Sequence, residues 1–155
     1  MRRPRVMSFD DYLFHRCESI HRLGGDVDIA MHSAVGAADT VIVEARVGFP
    51  DELELRVFEV VERTDEGAAH RFRYSYQVRW RRQLVVRYER DPVGHPEMPE
   101  HKHPASGGRI PWAAVRLATV VDEMWEEYRL RIEAPPVTGT ESPRAADEPR
   151  RRTGA

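Results

Sequence analysis

Between residues 8 and 133 the spacing of apolar positions changes twice, and each change marks a change of element. Ser8 followed by Asp11 is a capping-box-like start, Phe9, Leu13, Ile20 and Leu23 make one apolar stripe, and Gly24-Gly25 is a stop, so the first element is a helix. The period then becomes two. Asp39 to Phe49 places Val41, Val43, Ala45, Val47 and Phe49 on one face; Arg71 to Trp80 places Phe72, Tyr74, Tyr76, Val78 and Trp80 on one face and Arg71, Arg73, Ser75, Gln77 and Arg79 on the other. Glu52 to Glu62 is a further strand, Gln83 to Glu89 follows Trp80 across a short Arg81-Arg82 connection as the second arm of a hairpin, and Asp26 to Val35 adds an edge strand. Helical spacing returns from Pro111 to Ile132, where Ala114, Leu117, Ala118, Val121, Met124, Trp125 and Tyr128 recur every three or four residues behind a proline suited to a first turn. The pattern predicts one α+β domain over 8–133: a curved antiparallel sheet of four or five strands packed with an N-terminal and a C-terminal helix.

Outside that span the composition shifts. Residues 134–155 hold four prolines, no aromatic residue and only Val137 as a sizeable aliphatic, too little to offset ~1–2 kcal/mol of backbone ordering entropy per residue, and they read as a disordered Pro/Arg-rich tail. Residues 1–7 form a basic extension that runs into Ser8-Phe9-Asp10-Asp11 rather than into an apolar segment, unlike a secretory leader. Apolar runs of only a few residues predict no membrane span. A net charge of −2 argues against coating nucleic acid by bulk electrostatics, so contacts with RNA would depend on local basic patches. Cys17, the single cysteine, allows no internal disulfide and no Cys-rich zinc module, in keeping with a reducing, cytoplasmic setting and with no resident cofactor.

The chemistry concentrates between Arg90 and Gly108. Three of the seven histidines, His95, His101 and His103, fall there, in a polar loop stiffened by prolines at 92, 96, 99 and 104. Of the 24 basic side chains only Lys102 is a lysine, and it stands between His101 and His103. In an extended segment the two histidines share a face and Lys102 points away, so all three would act together only if the loop bends back over the sheet toward Arg87. Histidines near their ordinary pKa of ~6.5 suit metal-independent cleavage of RNA: one removes the 2′-hydroxyl proton, another protonates the departing 5′-oxygen, and Lys102 or Arg87 neutralises the phosphorane. The same histidines with Glu59 or Glu97 offer an alternative, a divalent metal site, although H-x5-H-x-H is not a standard ligand spacing. A third alternative is a non-enzymatic module whose His-rich loop docks a partner protein. Glu59 falls among Leu53, Leu55, Val57 and Val61 on an apolar face, where a carboxylate needs a partner, and Arg87 is the candidate. Arg71, Arg73 and Arg79, with Arg81 and Arg82, form a basic row near aromatic residues, a pattern shared by single-strand nucleic-acid platforms and by ordinary wet sheet faces.

The run Tyr74-Ser75-Tyr76-Gln77, then Leu84-Val85-Val86-Arg87-Tyr88-Glu89, then His95-Pro96 and Glu100-His101-Lys102-His103, resembles the TumE-like toxins of bacterial toxin-antitoxin modules over about residues 39–130. Glu89 stands where that pattern has Asp, Glu100 where it favours another histidine, and Gln77 where a histidine often follows the second tyrosine. The resemblance implies a small toxin neutralised by a partner antitoxin, commonly a helix-turn-helix protein. The chemistry above, read on that toxin, expects His101 and His103 as acid and base with His95 beside them, Lys102 and Arg87 as phosphate ligands, Tyr76 as an orienting hydroxyl and Glu59 supporting the site from behind.

Overall fold

The computed structural model describes residues 7–37 and 39–133; the tail read at 134–155 and residues 1–6 of the basic extension lie outside the described residues. Helix α1 (Phe9–His21) is followed by strands β1 (Asp26–Ser33), β2 (Thr40–Phe49), β3 (Leu53–Arg63), β4 (Ala69–Trp80), β5 (Gln83–Arg90), β6 (Glu100–Pro104) and β7 (Ile110–Pro111), and then by helix α2 (Leu117–Glu133). The strands pair in sequence order, each antiparallel to the last, in one open sheet. The sheet therefore has seven strands, not four or five. The two additions, β6 and β7, come from the segment that proline and polar content mark as loop.

Local signals account for most boundaries. Ser8 caps α1 by accepting from the Asp11 backbone N–H at 3.2 Å. After α1 the chain turns through Gly24, whose φ of +79° suits glycine, and Gly25 has no room for a side chain, because a Cβ there would lie 2.5 Å from the Gly48 carbonyl oxygen. Arg81 and Arg82 have φ of +48° and +66°, so the two-residue β4–β5 connection has the left-handed geometry that matches strand twist, here without glycine. The C-terminal helix starts at Leu117 rather than Pro111. The residues before it are committed to the sheet: Trp112 N–H donates to Glu100 O at 3.2 Å, and Val115 N–H donates to the Tyr74 hydroxyl at 3.1 Å.

Both helices cover one face of the sheet. Ile20 from α1 and Leu117, Val120, Val121 and Met124 from α2 meet Leu55, Val57, Tyr76, Val78 and Tyr88 in one buried cluster. The β3–β4 register shifts between Val60 and Val61: Val60 pairs with Arg73 but Val61 with Arg71, leaving Phe72 unpaired. This bulge reverses the alternation expected for Arg71. It turns Arg71 into the core, where its guanidinium lies 4.1 Å from the Tyr74 ring centroid and donates to Val115 O at 2.9 Å.

Glu59 is fully buried beneath α1. Its partner is not Arg87, which projects from the opposite face of the sheet; Arg16 takes that place, its Nε 3.1 Å from Oε2. The Tyr12 hydroxyl donates to the same oxygen at 2.9 Å, the Tyr76 hydroxyl donates to Oε1, and Arg71 Nη1 lies 3.9 Å from Oε1. Tyr12 and Arg16 are four residues apart, so one helix face delivers both and the buried carboxylate ties α1 to the sheet. Removing that carboxylate leaves two guanidinium groups without their counter-charge. Glu59→Ala is expected to cost about 3–5 kcal/mol in a urea titration, whereas Arg63→Ala, which breaks a partly exposed pair with Asp10, should cost about 0–1 kcal/mol.

Three core phenols set an upper pH limit. Burial, followed by the hydrogen bond to Glu100, pushes Tyr74 up to about 12; burial and the Glu59 charge raise Tyr76 well above its ordinary value; burial and the hydrogen bond to Glu123 raise Tyr88. A raised phenol favours the fold fully below the unfolded-state pKa of ~10 and loses that contribution as pH climbs through the folded value. The urea midpoint should fall steeply from pH ~10 upward, with delayed tyrosinate absorbance, and Tyr74→Phe should flatten that slope.

Candidate active site on the open sheet face

Strand pairing sorts the chemistry-bearing residues by face. One row across the uncovered face reads Asp28, Arg46, Arg56, Gln77, Arg87, His103, and the next reads Ala30, Glu44, Phe58, Ser75, Glu89, His101. The β5–β6 register alone brings Arg87, Glu89, His101 and His103 together, because Arg87 pairs with His103 and Glu89 with His101. The convergence expected of a folded-back loop is thus made by a strand. Ahead of that strand, residues 91–99 form a tied turn: Asp91 N–H donates to Pro99 O at 2.8 Å, Gly94 N–H to Asp91 Oδ1 at 3.0 Å and Met98 N–H to His95 O at 3.1 Å.

That turn fixes His101. Its Nδ1 lies 2.9 Å from the Met98 carbonyl oxygen, and since a carbonyl can only accept, Nδ1 carries the hydrogen. Its Nε2 faces Glu89 Oε2 at 3.2 Å from a fully buried side chain. His103 directs its Nε2 at the same oxygen, 2.9 Å away, with Arg87 Nη2 3.1 Å from that nitrogen. Arg87 Nε is 3.3 Å from the other carboxylate oxygen, so the guanidinium spans Glu89 and His103. The His101 and His103 rings are 5.0 Å apart. Burial, then the neighbouring Arg87 charge, lowers the His103 pKa against the upward pull of Glu89. His95 stands at the edge, its ring 5.1 Å from that of His101 and its Nδ1 accepting from Arg109.

The other expected members lie elsewhere. Lys102 points through to the helix-covered face, its ammonium 4.9 Å from the Tyr88 ring and 4.5 Å from that of Trp112. Tyr76 and Glu59 are in the core beneath α1, separated from the histidines by the thickness of the sheet. Among candidate metal ligands, Glu59 and Glu97 are replaced by Glu89: its carboxylate and the two Nε2 atoms lie within 4.8 Å of one another. The basic row also divides, since Arg71 turns inward, Arg73 pairs with Asp91 at 3.2 Å, Arg79 donates to Arg82 O, and Arg81 stacks over Trp80. Two residues of the buried network, Tyr12 and Arg16, were legible only as gaps in the apolar stripe of α1. Glu89 could have been found from its place two residues after Arg87 on the polar side of β5.

Beyond Gln77 and Ser75 the open face is hollowed into a trough of about 450 Å³, lined by residues that include Asp28, Glu44, Arg46, Arg56 and Phe58. A second hollow of about 400 Å³ adds Arg79 and Arg82 beside Arg46 and Arg56. The cluster therefore stands one strand from a polar trough of mixed charge, in which Arg46 and Arg56 both pair with Glu54.

Among the described residues no helix is long and apolar enough to cross a membrane. No curated protein and no solved structure matches the chain. A family model does: that of Toxin TumE, over residues 21–132, which takes in every strand and nearly all of α2. The match covers most of the chain, including the hairpin that joins Arg87 and Glu89 to His101 and His103, and it makes this protein a member of the TumE toxin family of toxin-antitoxin modules, with an antitoxin as its implied partner.

Proposed function

We propose that this toxin cleaves RNA in the cytoplasm, at the Arg87, Glu89, His101 and His103 cluster and without a metal. The observation that supports it is the Arg87 to His103 contact of 3.1 Å on the open face: a phosphate ligand and a proton acceptor held side by side next to a trough. His103 Nε2 takes the proton from the 2′-hydroxyl, the oxygen attacks phosphorus, Arg87 neutralises the added charge, and the departing 5′-oxygen takes its proton from the imidazolium form of His95, which gives up its Arg109 contact on protonation. His101 is fully buried, so it acts as a positioning residue, anchored to Met98 and setting the Glu89 carboxylate. Lys102 supports the hairpin from the covered face, Tyr76 and Glu59 fasten α1 there, and none of the three touches the substrate. The antitoxin is proposed to be a helix-turn-helix protein whose docking covers this face.

Purified full-length toxin should cut single-stranded RNA in the presence of a chelator, and His103→Ala should slow cleavage by ~10²–10⁴-fold while circular dichroism stays unchanged. Undiminished cleavage by the Arg87→Ala, His103→Ala double variant would remove the activity from this site, and intact RNA with wild-type protein would favour a toxin that acts by binding alone. Wild-type expression should arrest growth, and the neighbouring antitoxin gene should relieve it.

A further inference from the structure

We infer that Glu89, His101 and His103 bind one zinc-class divalent ion, and that its occupancy switches off the RNA-cleaving site proposed above. The inference deepens that reading and rests on it for the regulatory half only. Three ligand-type atoms converge here. His101 Nε2 and His103 Nε2 stand 3.2 and 2.9 Å from the same Glu89 oxygen, Oε2. Two imidazole nitrogens and a carboxylate oxygen gathered this closely form a donor set for a metal ion.

The dimensions fit a metal ion. Ligand atoms about 2.0–2.1 Å from a tetrahedral zinc ion are separated by roughly 3.4 Å, so the observed spacings are already near the edges of such a site. All three atoms lie within 4.8 Å of one another. The surroundings fit as well. His101 donates its other ring hydrogen to a backbone carbonyl, the outer contact that commonly orients a metal-bound imidazole, and Arg87 Nε approaches the free carboxylate oxygen at 3.3 Å. Two imidazoles and one carboxylate favour zinc over magnesium, which prefers an all-oxygen, octahedral shell. Three protein ligands leave a fourth position for water on the open face.

The ion and the cleavage chemistry compete for the same atoms. A bound ion occupies the His103 lone pair that would accept the 2′-hydroxyl proton, and its charge displaces the Arg87 guanidinium from His103 and hence from the phosphate. The metal is therefore an inhibitor of this site.

Calorimetric titration of chelator-stripped full-length protein with Zn²⁺ should show one saturable site, absent with Mg²⁺. Glu89→Gln and His103→Ala, each with an unchanged circular dichroism spectrum, should weaken it by at least ~10-fold; these two are chosen because truncating the buried His101 risks the fold. In the RNA assay one equivalent of Zn²⁺ should suppress wild-type cleavage. No saturable binding, or equal binding by both variants, overturns the inference. Cleavage that persists at saturating Zn²⁺ overturns the regulatory half. Failure to cut RNA by a protein that still binds Zn²⁺ through Glu89 sinks the nuclease reading and leaves the metal site standing.

Discussion

The register of β6 against β5 decides which side chains stand together on the open face. A pleated strand shows alternate residues to opposite faces, so a slip of one residue would exchange His101 and His103 for Lys102 on the open side. Several contacts hold the register. Arg90 Nη1 lies 2.7 Å from Glu100 Oε1, and Lys102 sits over the Tyr88 and Trp112 rings. Tyr74, which also donates to Glu100, carries the same constraint inward to β4. Lys102 is thus an alignment device for the two histidines that flank it, and its place between them follows from the two-residue period of the strand.

On the covered side a different physical demand is met. Three tyrosines and a glutamate occupy a core that would otherwise be aliphatic, and each buried polar atom needs a partner. The β-bulge at Phe72 supplies one by turning Arg71 inward, and the helical spacing of Tyr12 and Arg16 supplies others. The sheet therefore holds two polar clusters back to back: one enclosed and fully paired, which fastens α1, and one partly open, in which His101 and His103 share a single oxygen of Glu89. The first serves cohesion.

Much of this was legible in the residues. The alternation in β2, β3 and β4, the Arg81-Arg82 hairpin and the Ser8 cap are local signals, and all five strands read from the pattern are present. The strands β6 and β7 were hidden because prolines and charge mask short edge pairing that only tertiary context reveals. The start of α2 was displaced because Tyr74 and Glu100, distant in sequence, claim the backbone of 111–116. Arg87, His101 and His103 were visible as chemistry. The grouping of Glu59 and Tyr76 with them was not supported by the fold, since both stand on the helix-covered face that their own apolar alternation marks, opposite Arg87.

Because every strand pairs with its neighbour in the chain, the cluster of Arg87, Glu89, His101 and His103 is drawn from a single hairpin rather than from distant loops. Contacts of short sequence separation close quickly and depend little on completion of the whole domain. The open-face side chains of this hairpin can thus be exchanged on two strands while the aromatic residues behind them, Tyr74, Tyr76 and Tyr88, keep their packing.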